Sequence, residues 1–208
     1  MRTLASLALS LFAFAAGARG QERVVIQDGG CSGCRIRLVR VAVIAGADPY
    51  TLDWWARVTK TRDGYAAAPL HVPGTIGVFD ERGRLLRTVG SEGPGPGEFL
   101  SIWGLATVQG DTVLVVENSR LTVLDPDLQY VRILGHTGRV QDVVQLADGR
   151  YVLRVEGLPS PHPLHVMDAS GRLVHSFGPP SARASTPIED RELAVGRNGH
   201  LYAARTQT

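Results

Sequence analysis

Three stretches, "VFDERGRLLRTVG" (Val78–Gly90), "VLDPDLQYVRILG" (Val123–Gly135) and "VMDASGRLVHSFG" (Val166–Gly178), align with no gap. Each carries Asp at its third position, an apolar or aromatic residue five places later, and a closing glycine. The aspartates Asp80, Asp125 and Asp168 recur 45 and 43 residues apart. Repeats of this length belong to stacked β-units of propeller type rather than to leucine-rich or ankyrin repeats. The local chemistry is that of a β-hairpin: "V-x-D" ends one strand and a D-x-x-G turn reverses the chain. Gly83 and Gly171 can take the positive φ that such turns ask for, and the following segments alternate as outer strands. In the second copy Leu128 stands where the glycine should be, with Pro126 and Asp127 helping to form the turn.

Upstream of each hairpin lie two more β-forming runs. "DGYAAA" (Asp63–Ala68), "GDTVLVVE" (Gly110–Glu117), "DGRYVLRV" (Asp148–Val155) and "NGHLYAAR" (Asn198–Arg205) follow turn dipeptides. Ahead of them, "DWWARV", "WGLATV", "DVVQLA" and "RELAVG" read as innermost strands. Four strands per unit make an all-β chain, a β-propeller of four-stranded antiparallel blades, with blades at about 53–90, 105–135 and 141–178 and a partial blade at 188–208,. The stretch "GPGPGEF" (Gly93–Phe99) then joins the outer strand of one blade to the inner strand of the next, and Phe99 can plug the cleft between them. It is not a phosphate loop, because the residues after it form strands rather than a helix.

"IGVFDERGRLLRTVGSEGPGPGEFLSIWGLATVQGDTVLVVENSRLTVLD" (Ile76–Asp125) resembles the NHL-type repeat: a hairpin closing in glycine, a G-x-G-P-G-E/Q-F loop, a "G-[ILV]-A" inner strand and a second "V-[FL]-D". The whole layout is similar to exported bacterial six-bladed propellers of NHL/TolB-like type, which carry a signal peptide, a short C-x-G-C segment and NHL-like blades. The junctions after Gly135 and Gly178, "HTGRVQD" and "PPSARASTPIED", depart from that pattern. The resemblance implies six blades, of which about three and a half are present. A complete six-bladed ring would take roughly another hundred residues at this repeat length, so the chain is expected to be a fragment. A complete four-bladed ring is the alternative.

Met1–Gly20 has the form of a secretory signal peptide: Arg2, the apolar run Leu4–Ala16, and the small-residue site Ala18-Arg19-Gly20,. Export to the periplasm or the medium is the expectation, with no membrane anchor after cleavage. Loss of Arg2 and Arg19 takes the net charge from +2 to about zero, which leaves no basic field for nucleic acid. Residues 21–34 form an N-terminal segment containing Cys31 and Cys34, "CSGC". In an oxidising compartment these are expected to form a local disulfide, with a redox dithiol as the alternative. Zinc held with "HPLH" (His162, His165) is a third reading. "RIRLVRVAVIAG" (residues 35–46) reads as an outer strand that completes the last blade.

Asp53, Asp142 and Glu192, near the starts of inner strands, are the candidate axial residues. Propeller lactonases and lyases of similar architecture hold calcium or zinc on the axis, so these carboxylates could serve a metal-assisted hydrolase; the other reading is strand capping or solvation of the channel mouth. No catalytic triad is visible and no cofactor is called for. Trp54, Trp55 and Trp103 are the ligand-face candidates, as a stacking platform or as blade-to-blade packing. The expected function is non-catalytic binding of a protein, peptide or glycan through the loop face or channel. A metal-dependent lactonase, lyase or esterase is the alternative.

Overall fold

The computed structural model describes residues 40–44, 50, 52–53, 56–69, 73–135, 138–158, 160–178, 191–195 and 201–205, all within one compact unit, Arg40–Thr208. The signal-peptide region, Cys31, Cys34, Trp54 and Trp55 lie outside the described residues. The N-terminal strand expected over 35–46 is described only at 40–44, which carry no ladder pairing.

The described chain is all-β. Strands β1 (Arg57–Thr61), β2 (Gly64–Ala68), β3 (Ile76–Asp80) and β4 (Leu85–Val89) form a first antiparallel sheet in sequential order. A short parallel pair, β5 (Ser91–Glu92) and β6 (Glu98–Phe99), brackets the glycine-proline loop. The second sheet follows: β7 (Gly104–Thr107), β8 (Val113–Val116), β9 (Arg120–Leu124) and β10 (Tyr130–Gly135). The third has β11 (Arg139–Gln145), β12 (Tyr151–Glu156), β13 (Leu164–Met167) and β14 (Leu173–Phe177). A hairpin of β15 (Arg191–Val195) and β16 (Leu201–Arg205) completes the described elements.

The three aspartate turns share one geometry. Asp80, Asp125 and Asp168 each use Oδ1 to accept the backbone N–H groups two and four residues on, at 2.8–3.0 Å. The third residue after each Asp donates its N–H to the Asp carbonyl and has positive φ: Gly83 (82°), Leu128 (61°) and Gly171 (93°). One short carboxylate therefore replaces the lost ladder partners of the turn, which is why the repeat keeps Asp at this place. The Asp168 carboxyl is held down at about 2, first by the Ser170 hydroxyl and then by the Arg172 amide.

The sheets stack face to face, and this explains the sequence patterns. In β8, Val113 and Val115 join Ala66, Ala68, Ile76 and Phe99 of the first sheet and its following loop. Leu114 and Val116, on the opposite face, join Val140, Val143, Leu153 and Met167 of the third sheet. A middle strand buried on both faces must be apolar throughout, as "VLVV" is. In β12, Tyr151, Leu153 and Val155 face the second sheet, while Val152 packs with Leu164, Val166 and Leu193. Phe99 is 1% exposed and fills the cleft between the first two sheets.

The loop that delivers Phe99 is clamped rather than free. Glu98 turns its carboxylate back to the Gly95 amide (2.8 Å), and Arg120 donates to the carbonyls of Pro94 (2.7 Å) and Glu98 (2.7 Å). Arg120 is itself paired with Glu117 at 2.5 Å, with side chains only 14% and 4% exposed. Glu117 also accepts the Leu100 amide (2.9 Å). Glycine and proline let the chain turn here, and this buried ion pair sets where it turns.

Candidate functional site

The innermost strands lie in a row: β1 touches β7, β7 touches β11, and β11 touches β15. Polar ties join the row at its middle and far end. Thr59 and Thr107 share a hydroxyl contact of 2.9 Å, Gln145 Oε1 accepts the Gln109 amide (3.0 Å), and Asp142 Oδ2 accepts the Leu193 amide (2.7 Å). β1, β7 and β11 consequently run the same way, and their first residues gather at one end.

That end is built from guanidinium and indole groups. Arg57, the first residue of β1, donates Nε to the Trp103 carbonyl (3.0 Å). Arg139, the first residue of β11, lies over the Trp103 ring with its Cζ 5.6 Å from the centroid. Trp103 enters β7 half-buried between them, and its Nε1 is buried with no hydrogen-bond partner. Arg139 also pairs with Glu156 (3.2 Å) and keeps half its side chain exposed. Arg57 is exposed. β15, tied to β11 through Leu193, opens with Arg191.

The three carboxylates expected on the axis stand at different positions relative to their strands. Asp53 precedes β1 and accepts the Ala56 amide on its backbone carbonyl (3.1 Å). Asp142 is the fourth residue of β11, where it follows a bulge at Gln141 and is committed to the Val143 and Leu193 amides. Glu192 is in β15 opposite Ala204, and its side chain is outside the described residues. Among the described residues no three His, Cys, Asp or Glu side chains converge as a metal site would require,. The first strand starts later (Arg57) and the third sheet's inner strand earlier (Arg139) than the sequence suggests.

"HPLH" resolves into two separate hydrogen bonds. His162 Nδ1 meets the Gly178 carbonyl (2.8 Å), and His165 Nδ1 meets the Ser176 hydroxyl (2.8 Å). His165 is 1% exposed, and burial, then the neighbouring His162, holds its pKa below the ordinary histidine value. Of the three tryptophans named from the sequence, Trp103 is the one within the described residues, and Arg139 lies over its ring.

Arg57 and Arg139 are the site residues that a motif search misses. The signal available in the sequence is positional: three of the four innermost strands open with Arg. It becomes readable only once the strand boundaries are known.

In class, then, the chain is an all-β protein of stacked four-stranded antiparallel sheets. Among solved structures it is similar to a "Putative exported protein" from Bacteroides fragilis NCTC 9343, with a TM-score of 0.65 and 11% identity over 79% of this chain. The match covers 48% of that structure, so the chain spans about half its length. A protein of unknown function from Bacteroides caccae matches at a TM-score of 0.46 and 16% identity, over 76% of this chain and 59% of that one. No protein-family profile and no curated protein matches the chain.

Proposed function

We propose that this chain is part of an exported β-propeller that works as a binding protein, taking its ligand at the end of the inner-strand row marked by Arg57, Trp103 and Arg139. The propeller reading is supported by the sequential four-stranded sheets, the face-to-face stacking, and the adjacency of β1, β7, β11 and β15. Export is supported by the leader-like Met1–Gly20 and by the similarity in fold to the "Putative exported protein" of Bacteroides fragilis.

The observation that carries the binding reading is that two exposed arginines from different sheets converge on one residue, Arg57 on the Trp103 carbonyl and Arg139 over the Trp103 ring. Arginine and tryptophan are the residues that dominate binding energy at recognition surfaces, because each brings area and directed donors together. Guanidinium groups stay protonated and cannot shuttle protons at neutral pH, so the arrangement serves recognition rather than acid–base chemistry.

The test is a panel of peptides, proteins and glycans presented to the full-length protein. At least one class should bind, and the double variant Arg57→Met/Arg139→Met should lose it while keeping the wild-type circular dichroism. Retained binding in that variant, or turnover of lactone or ester substrates that depends on a bound divalent metal, would overturn the proposal.

A further inference from the structure

We propose that β10, the outer edge of the second sheet, docks an extended peptide segment of a partner protein. The segment adds as a fifth strand and sets alternate side chains, one apolar and one amide, into clefts on the two faces of the sheet. The site lies on the outermost strand rather than in the inner-strand row, so it is independent of the binding reading above.

Among the described strands β10 pairs only with β9. An edge strand leaves alternate backbone N–H and C=O groups pointing outward, a template for another strand. The usual protections are thin here. Tyr130–Gly135 contains neither proline nor lysine, and Arg132 is its one charge. Tyr130, Val131 and Ile133 are 39%, 52% and 38% exposed, whereas the sister edges β4 and β14 expose one large apolar residue each, Leu86 and Val174. All three edges skip a residue of the ladder at the same place. The bulge therefore does not set β10 apart; its exposed apolar surface does.

Two clefts flank this edge, one on each face of the second sheet. The first, of about 250 Å³, is lined by Val89, Pro96, Phe99, Leu124, Leu128 and Tyr130, on the side of the first sheet. The second, of about 330 Å³, is lined by Val123, Asp125, Arg132, Gln145 and Tyr151, on the side of the third. A cavity on the order of 150 Å³ holds a benzene ring, so each cleft has room for a side chain. Tyr130 lines one cleft, and the next residues of the same strand, Val131 and Arg132, line the other. Side chains of an added strand alternate between faces, so neighbouring residues of the incoming segment reach both clefts.

The linings select the side chains. The smaller cleft is apolar and takes an apolar residue. The larger one contains one guanidinium and one carboxylate, whose charges offset, so it suits a neutral group with both a donor and an acceptor. Asp80 and Asp168 each pair with the arginine four residues on, Arg84 at 3.0 Å and Arg172 at 3.3 Å. In the second turn Gln129 stands at that place, giving Asp125 its backbone amide (2.8 Å) but no guanidinium. Among the described residues neither Asp125 nor Arg132 enters a salt bridge. An asparagine or glutamine side chain answers both: its carbonyl accepts from Arg132 and its NH₂ donates to Asp125. A second copy pairing through its own β10 would bring no such group, since Tyr130–Gly135 has no amide side chain.

The experiment measures binding of a fluorescein-labelled heptapeptide, alternating leucine with asparagine, to the full-length protein by anisotropy. One comparison peptide alternates leucine with alanine. Two others are the first peptide N-methylated at its odd or at its even residues. The leucine–asparagine peptide should bind, and the leucine–alanine peptide should bind about tenfold more weakly, the scale of one charged hydrogen bond. Arg132→Met should cost the same factor, and Tyr130→Ser should weaken binding several-fold. Leu86→Lys, on β4, should leave it unchanged. One N-methylated form should fail and the other should bind, because only alternate N–H groups of an added strand face β10.

Equal binding of the two N-methylated forms overturns strand addition. Equal binding of the leucine–alanine peptide, or no loss in Arg132→Met, overturns the pairing of an amide with the larger cleft. Failure of the leucine–asparagine peptide to bind overturns the proposal as a whole. So does a concentration-dependent dimer in sedimentation that Ile133→Lys abolishes, which makes a second copy the occupant.

Discussion

The Tyr50 hydroxyl stands inside the ladder between β2 and β3, taking the Gly77 amide at 2.6 Å and giving its own proton to the Ala67 carbonyl at 2.5 Å. Ala67 and Gly77 are cross-strand partners, so the phenol bridges two groups that a sheet would normally join directly. Only glycine admits the ring. A Cβ at position 77 would lie 2.5 Å from a ring carbon of Tyr50. Burial pushes the phenol up to about 12, with the Gly77 hydrogen bond opposing in part.

Tyr50→Phe should cost about 1–3 kcal/mol, because it strands a buried amide and a buried carbonyl at once. Gly77→Ala should cost a similar amount through overpacking. In the Tyr50→Ala background, however, the added methyl should cost less, since the nearer of the two rings it strikes is gone and only Phe79 (2.8 Å) remains in its way,. Urea unfolding of the four proteins gives the coupling. Strict additivity of the two changes would show that the ring does not occupy the ladder.

The buried Glu117–Arg120 pair predicts a local as well as a global effect. Arg120 ties down the carbonyls of Pro94 and Glu98, and Phe99 follows directly. Arg120→Met leaves Glu117 buried at 4% side-chain exposure without its counter-charge, a change worth about 3–5 kcal/mol. Limited proteolysis should then cut first within Gly93–Phe99, before the strands of either flanking sheet. If the cleavage pattern matches wild type, the ion pair does not set the loop.

Much of this was legible in the chain itself. The aspartate turns, the outer strands after them and the seat of Phe99 follow from turn chemistry, alternation and the spacing of the repeat, because those signals are local. The same locality hid the rest. Tyr50 reaches a ladder 27 residues away at Gly77, and Arg57 and Arg139 meet on Trp103 from separate sheets. Asp142 stands near the start of β11, and its carboxylate accepts the Leu193 amide of the next strand in the row, a tie that no pattern along one strand reveals.

Acid should weaken the fold in two stages with different owners. His165 has its pKa lowered by burial and by His162. Above its ordinary value of about 6.5 the ring is neutral in both folded and unfolded chains. As the pH falls below that, the unfolded chain takes the proton first, and stability is lost down through the lower folded-state value.

Asp168 acts later. Its folded-state value of about 2 lies below the ordinary 3.8, so its contribution is intact above the ordinary value and is lost as the pH falls through about 2. Thermal midpoints against pH should show a shallower decline from about pH 6.5 downward in His165→Gln, while Asp168→Asn should flatten only the lower stage. An unchanged upper stage in His165→Gln would assign that loss to another group.

Leu128 reverses the usual ranking of substitutions in a turn. Its φ of 61° is the left-handed conformation that glycine holds in the two sister turns, and for a residue with a Cβ this costs roughly 1–2 kcal/mol. The side chain is nevertheless 4% exposed and packs with Phe99, Leu124 and Val115. Truncating a buried leucine costs about 2–5 kcal/mol, more than the strain it removes. Leu128→Gly, the substitution that the repeat itself suggests, should therefore destabilise the protein. Leu128→Ala should be worse still, because it loses the packing and keeps the strained backbone. In an ordinary strand or helix alanine would be the milder of the two. Chemical denaturation that ranks wild type above Gly above Ala supports this balance of burial over strain; Gly above wild type would show that the backbone term wins.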